Sequence, residues 1–358
     1  MTSTRKSSRP HTLASATRLA IAGGALLSVL AIIGHVDRGG AEPVANSAAA
    51  PARPSGIIAF RRFFDAAHDW GALFTIRLDG HGERQITHPG RHVVDSRNGA
   101  PSFTPDGRAL IFDQTDAAGT SSLWRVNADG TNAHRLHTLS GFPGDGWPSL
   151  SPDGREIAVA RAFGSQDSFN DLKTSLYVLQ ADGSQPREVA PFGYNADVQG
   201  AAWSPDGHHI TFSVVNNGPG TPAGGSALYS VAATGGGLHR ITPWSTNAKF
   251  AGPQYSPDGR LVLFRLLPPG QDFGGDLYTI HADGGGLHRL SRFPAGSSLG
   301  GAAWSPDGRY IVFANTGIGG QDDIFIMRSD GTHVIPVTRT PAWDSAPTWT
   351  RTRKRAPY

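Results

Sequence analysis

Five aspartates recur in one setting, each after a proline and before a glycine. Carboxylates repeated at regular spacing would suit acid–base catalysis or cation binding. In a Pro-Asp-Gly turn, however, the aspartate side chain accepts backbone N–H groups of its own turn. We therefore interpret the series as architecture rather than chemistry. Its members are Asp106, Asp153, Asp206, Asp258 and Asp307.

A second set of polar and aromatic residues lies between the repeats, just ahead of apolar segments. A ring of such carboxylates around a channel mouth would attract a cation or a basic peptide. Aromatic side chains beside them would add contact area. The alternative is that each aspartate caps a turn or the start of a strand. We predict no catalytic residue, no resident metal and no cofactor, with a cation at the acidic mouth as the open option. The predicted binding residues are Asn98, Asp145, Asp197, Asp344, Trp147 and Trp343.

Two short motifs resemble enzyme signatures. The sequence GSSLG (296–300) fits G-x-S-x-G around Ser298. That motif has meaning at a strand-to-helix elbow, and here it falls in a loop between strands. In HPGRH (88–92), proline and glycine prevent the helix that would align His88 and His92 on zinc. Neither motif therefore predicts an active site.

The elements that position these residues are strands. The phrase Ser/Thr-Pro-Asp-Gly returns about every fifty residues, and apolar residues lie five and seven positions after each proline, as in Ile210 and Phe212. A period of two indicates a strand. Further strand-like runs end in turns such as ADG, and a short last strand follows. Four strands in a unit of about fifty residues are typical of a propeller blade.

The two ends of the repeat region complement each other. The segment SAPTWT (345–350) opens a unit, and GIIAFRR (56–62) continues one that lacks its opening strand. We predict an all-β fold, a six-bladed β-propeller with four antiparallel strands per blade. The C-terminal strand joins the N-terminal blade, which leaves no open sheet edge at the seam.

With its SPDG…LY…ADG…RLT pattern, the region 56–350 resembles the TolB-type six-bladed propellers and their WD40-like repeats. The resemblance implies contacts with proteins. Residues 35–55 resemble no part of the domain that precedes the propeller in TolB, so a role in the Tol-Pal machinery is not implied.

The segments outside the repeat region are predicted to be a targeting segment, a linker and a tail. Residues 1–18 are cationic, 19–34 are apolar like a signal peptide or membrane anchor, 35–55 form an Ala/Pro-rich linker, and 351–358 form a basic tail. We expect the propeller outside the cytoplasm, with membrane contact only through 19–34. The chain has no cysteine, and its central part is near neutral, which argues against nucleic-acid binding.

Three functions fit this organisation. The first is a non-enzymatic binding or scaffold propeller, secreted, periplasmic or anchored, that holds a protein, peptide or envelope ligand at its variable loops and channel mouth. The second is a carbohydrate-active lyase or hydrolase with its site in the channel. The third is a relative of the propellers that gate prolyl-oligopeptidase-type enzymes. We favour the first and expect a monomer whose partner is a protein or peptide of the cell envelope.

Overall fold

The computed structural model describes residues 55–137, 144–163, 173–192, 196–216, 224–268, 274–294, 296–316 and 322–350. The predicted cationic segment, signal or anchor, basic tail and all but one residue of the linker lie outside these ranges. All regular structure within them is β-strand. No helix in these ranges is long and apolar enough to span a membrane.

The strands follow one another in a repeated antiparallel order. The first eight are β1 (Ile57–Phe63), β2 (Gly71–Arg77), β3 (Arg84–Gln85), β4 (Val94–Asp95), β5 (Ser102–Phe103), β6 (Ala109–Thr115), β7 (Ser121–Asn127) and β8 (His134–Arg135). The next eight are β9 (Gly144–Leu150), β10 (Glu156–Phe163), β11 (Lys173–Gln180), β12 (Arg187–Ala190), β13 (Ala196–Trp203), β14 (His209–Asn216), β15 (Gly225–Ala232) and β16 (His239–Arg240). The last nine are β17 (Lys249–Tyr255), β18 (Leu261–Leu267), β19 (Asp276–His281), β20 (His288–Arg289), β21 (Leu299–Trp304), β22 (Tyr310–Asn315), β23 (Asp323–Arg328), β24 (Ile335–Pro336) and β25 (Trp343–Thr350).

Strand pairing divides these elements into groups that run antiparallel within themselves. Three groups are separate four-stranded sheets: β13–β16, β17–β20 and β21–β24. Strands β9–β12 pair in the same order, as do β6–β8 with β4 and β5 sharing the first position. Single parallel bridges, Gly71 to Val94 and Ser121 to Gly144, connect neighbouring groups.

The remaining group contains strands from both ends of the described chain. Strand β25 pairs antiparallel with β1, which pairs with β2, and β2 pairs with β3. Trp349 lies opposite Ile58 and Trp343 lies opposite Phe63. The expected closure of the first sheet by the C-terminal strand is therefore present in the strand register.

The apolar residues that follow each Pro-Asp-Gly turn form the core between neighbouring groups. Ile210 and Phe212 of β14 are fully buried, and so is Thr211 between them. Both faces of the second strand in the group are thus covered. A further core cluster joins Phe60 of β1 to Val312 of β22, so the β21–β24 sheet packs on the sheet closed by β25.

The five Pro-Asp-Gly aspartates are turn residues, as expected. In the turn that follows β13, Asp206 accepts hydrogen bonds from the Ser204 hydroxyl and from the backbone N–H of His208. Gly207 has a φ of +75°, which the turn requires and glycine tolerates. The other four turns repeat both contacts. These carboxylates therefore accept hydrogen bonds within their own turns.

Candidate functional site

The first strand of every group borders a shared cavity of about 490 Å³. Each group contributes at least one side chain or backbone segment to its wall. Representative contributors are Asn98 before β5, Trp147 of β9, Gln199 of β13, Lys249 of β17, Gly301 of β21 and Trp343 of β25. The volume lies in the range of pockets that hold small molecules or short chain segments.

Left-handed residues interrupt the wall strands at corresponding positions. Gly200 and Gly252 have a φ of +59°, Ala346 has +53° and Trp147 has +51°. In all four strands, the pairing with the next strand slips near this residue. A bulge of this kind re-aims the side chains that follow it. Glycine adopts a positive φ without steric cost, whereas a bulky tryptophan with a positive φ is rare.

The indole of Trp147 is accommodated by a glycine of the preceding group. A methyl group added to Gly99 would lie 2.7 Å from Cδ1 of Trp147, so a larger residue there would collide with the ring. Trp147 lines the cavity and packs on the neighbouring hydrophobic core. An unfavourable backbone conformation that brings an aromatic ring to a cavity wall is typical of a functional position.

The structure separates the predicted binding residues into two sets. Asn98, Trp147 and Trp343 line the cavity, and the three aspartates do not. Asp145 is buried and accepts two hydrogen bonds from Arg161, at 2.6 and 2.7 Å. Asp344 is fully buried against Arg62.

The third aspartate, Asp197, has a different contact: its carboxylate accepts a hydrogen bond from the side-chain amide of Gln199.

The pairing register explains the contacts of Asp145 and Asp344 with arginines. Asp145 lies directly opposite Arg161 and Asp344 directly opposite Arg62, so each carboxylate meets a guanidinium of the adjacent strand. A buried carboxylate needs such a partner to offset the cost of leaving water.

The charged residues that do line the cavity are cationic, which sequence reasoning missed. They are Arg61, Arg97, Lys249 and Arg265, and no Asp or Glu is among the described lining residues. A signal was available for two of them. Arg61 and Arg265 follow buried phenylalanines in apolar second strands, where an arginine needs a special environment.

Arg61 is the most rigidly held of these cations. Its guanidinium donates to the Ser345 hydroxyl at 3.1 and 2.9 Å and to the backbone carbonyls of Ser96 and Arg97. Burial lowers the pKa of Arg61 to about 10, and the nearby carboxylates of Asp113 and Asp322 oppose that shift. The group therefore remains a cation at neutral pH.

The acids behind Arg61 are unusual in their burial. Asp113 accepts hydrogen bonds from the backbone and side chain of Asn98, at 3.1 and 2.9 Å, and burial raises its pKa to about 6. Asp322 is fully buried, and burial raises its pKa to about 7. Within the described residues, no well-aligned hydrogen bond reaches either carboxylate oxygen of Asp322, although the side chains of Ser298 and Trp343 lie beside it.

Aromatic rings surround the same end of the cavity. His68 stacks on Phe63 with ring centroids 4.6 Å apart and contacts Trp343 edge-on at 4.3 Å. Burial and the charge of Arg61 lower the pKa of His68, so its ring is neutral at neutral pH. Arg97 donates to the His68 backbone carbonyl at 2.8 Å. Cationic and aromatic groups thus lie together at this end of the cavity.

The two enzyme-like motifs do not form recognisable sites. Ser298 precedes a strand, β21, rather than a helix. His92 contacts Asp69 at 2.8 Å on an exposed surface. In the part of the chain that the structure describes, no three His, Cys, Asp or Glu side chains are grouped so that they could hold a metal ion.

Comparison with known proteins identifies the class of fold. No family model matches this chain. Over 170 residues, 48% of this chain, the sequence is 27% identical to the uncharacterized peptidase YuxL of Bacillus subtilis, of which the match covers 22%. TolB from Acinetobacter baumannii superposes with a TM-score of 0.64 at 19% identity, over 83% of this chain and 67% of TolB.

Puromycin hydrolase superposes with a TM-score of 0.54 at 16% identity, over 80% of this chain and 47% of the hydrolase. At these identities, the shared property is the fold alone. This chain has an all-β, TolB-like β-propeller fold, which occurs in proteins of different activities.

Proposed function

We propose that this chain is a six-bladed propeller with WD40-like repeats that acts outside the cytoplasm as a non-enzymatic binding module. The strand groups are its blades, and the cavity at their first strands holds a peptide or protein segment of the cell envelope. The apolar segment 19–34 directs the chain to or across the membrane, and the propeller works as a monomer.

One observation carries the proposal: every strand group contributes to a single cavity, and at its wall Trp147 is held in a left-handed conformation with φ +51°. Such a conformation costs about 1–2 kcal/mol. A bulky residue that adopts a conformation of that cost is a candidate for binding rather than for stability. Asn98, Trp147 and Trp343 are the proposed contact residues from the predicted set. Asp145 and Asp344 act behind them by pairing with arginines of the adjacent strands, and Asp197 by accepting a hydrogen bond from Gln199 of its own strand.

Site-specific photo-crosslinking tests the binding function. A photoreactive phenylalanine would replace Trp147 in the full-length chain, which is then irradiated in an envelope extract. Ile335 is the control position because it is 51% exposed and lies on the last strand of its group, outside the cavity lining.

We expect an adduct from position 147 that protease treatment of the extract abolishes, and none from position 335. Equal labelling at both positions, or no adduct at 147, would contradict the proposal.

A second candidate is an enzyme with its site in the channel. The cation Arg61 and the ring of His68 line the cavity, the fully buried acid Asp322 lies behind Arg61, and perturbed groups of this kind also occur in active sites. Turnover of an envelope polysaccharide that is lost in Asp322→Asn would favour this candidate over the binding module.

A further inference from the structure

The charge of the cavity lining indicates which class of ligand the cavity binds. This inference rests on the proposed binding function. Arg61, Arg97, Lys249 and Arg265 line the cavity without a carboxylate among the described lining residues. A cleft lined by one sign of charge focuses the field and concentrates ligands of the opposite sign.

Most acids near this lining accept hydrogen bonds from other protein groups, and Asp322, which accepts no well-aligned one within the described ranges, is fully buried. Asp145 and Asp344 are held by Arg161 and Arg62, and Asp113 accepts hydrogen bonds from Asn98. These carboxylates offset part of the positive charge from behind the wall. They are not presented to a ligand inside the cavity.

Arg97 is the cation best placed to contact a ligand. It is exposed, and one of its guanidinium nitrogens donates to the carbonyl of His68 at 2.8 Å. It forms no ion pair with any residue in the described ranges. A guanidinium has five N–H donors and binds a carboxylate through two of them. Arg61 lies beside it and is fixed by Ser345 and two backbone carbonyls.

The uncharged lining favours a peptide over a small inorganic anion. The cavity of about 490 Å³ is much larger than a single carboxylate or phosphate group requires. Asn98, Gln199 and Gln254 are the amide-bearing residues of the lining. An amide both donates and accepts hydrogen bonds, as a peptide bond does. Trp147 and Trp343 add flat apolar surface for side chains or backbone.

We infer that the cavity binds an acidic peptide segment, with a ligand carboxylate at Arg97, the positive charge of Arg61 beside it, and the peptide chain against Trp147, Trp343 and the amide residues. This partner is opposite in charge to the basic peptide that the three mouth aspartates suggested from sequence.

Binding of short labelled peptides tests this inference. Three rhodamine-labelled heptapeptides that differ only at their centre, GSEDESG, GSQNQSG and GSKRKSG, would be titrated with the full-length chain and followed by fluorescence anisotropy. The variant is Arg97→Gln. The matched control is Arg309→Gln, which removes an exposed arginine from a Pro-Asp-Gly turn away from the cavity lining. Circular dichroism would verify that both variants are folded.

We expect only the acidic peptide to bind, with an affinity that falls as salt rises. Arg97→Gln should weaken binding about tenfold, and Arg309→Gln should leave it unchanged. Equal or tighter binding of the neutral or basic peptide would overturn the charge preference and leave peptide binding intact. An unchanged affinity in Arg97→Gln would overturn the assigned anchor.

Two further outcomes separate the ligand class from the proposed function. If no peptide binds but an oligogalacturonate does, and Arg97→Gln weakens it, the anionic site stands and the peptide assignment is overturned. If no probe binds and position 147 gives no crosslinked adduct, the inference and the binding function both fail.

Discussion

Arg62 donates two hydrogen bonds to Asp344, at 2.7 and 2.9 Å, although 282 residues separate them in the chain. The contact joins β1 to β25, the two strands whose pairing completes the first sheet. Arg62 also donates to Glu83 at 2.6 and 2.9 Å, so a single guanidinium holds two carboxylates at the seam.

Loss of the Asp344 charge should weaken this seam. Asp344→Asn leaves the Arg62 guanidinium buried with a poorer partner, and we expect the free energy of unfolding to fall by about 3 kcal/mol. Urea denaturation measures the loss. The control is Asp79→Asn at the exposed Arg77–Asp79 pair, in which Nε of Arg77 lies 3.5 Å from Oδ1 of Asp79. No measurable change is expected there, because water screens exposed pairs. If the two substitutions changed the free energy of unfolding equally, the buried Arg62–Asp344 pair would stabilise the fold no more than an exposed pair does.

Stability should rise as the pH falls from about 8 to about 5. Burial raises the folded-state pKa of Asp95 and Asp113 to about 6 and that of Asp322 to about 7, against an unfolded value of 3.8. The folded state therefore binds more protons than the unfolded state in this window. His68 opposes the trend, because its lowered pKa makes its protonation favour unfolding.

Below about pH 4 the sign reverses. Turn aspartates such as Asp206 and Asp258 have lowered pKa values, and the stability they contribute is lost on protonation. Urea midpoints at several pH values measure both trends. Asp322→Asn should raise the midpoint near pH 8 and flatten the rise towards pH 5. A lower midpoint with an unchanged slope would contradict this assignment.

A methyl group at the wall of the cavity should be costly. Gly301 has a φ of +136°, and an added Cβ would lie 3.3 Å from Cα of Ala346. We expect Gly301→Ala to reduce the free energy of unfolding by about 2 kcal/mol. Gly90→Ala is the control, because that glycine has no positive φ and nothing within 4 Å of the added atom. Thermal melts of the two variants that coincide would argue against strain at Gly301.

Removal of a turn carboxylate should affect stability and leave binding intact. Asp258 accepts hydrogen bonds from the Ser256 hydroxyl and the Arg260 backbone N–H, at 2.6 and 3.1 Å. Asp258→Ala should lower the free energy of unfolding by about 1 kcal/mol. Its affinity for the acidic heptapeptide should match that of the unaltered chain. A loss of affinity in the folded variant would assign these aspartates a role beyond the turn.

The order of strands within each group and the pairing of the first and last strands could be predicted from the repeat pattern. Each Pro-Asp-Gly turn fixes where a strand begins, and alternating apolar residues fix which faces are buried. The complementary segments SAPTWT (345–350) and GIIAFRR (56–62) predicted that the C-terminal strand joins the first sheet, and β25 does pair with β1. No contact between distant loops was needed for that prediction.

The repeat pattern could not predict which side chains of the first strands face the cavity. Asp145 and Trp147 were both predicted at the mouth because they lie in the connection ahead of the first strand of a repeat, and residues two apart on a regular strand would share a face. The left-handed backbone at Trp147 breaks that alternation. As a result, Trp147 lines the cavity while Asp145 is buried against Arg161. Sequence patterns do not reveal such a conformation at a tryptophan.

The pairing of β25 with β1 also has a temporal consequence. The ribosome makes β25 some 280 residues after β1, so the amino-terminal sheet stays incomplete until nearly all of the propeller has been synthesised. Until then, β1 exposes unpaired backbone groups that could recruit other chains. An intermediate of this kind would need chaperones to shield that open edge until β25 is available.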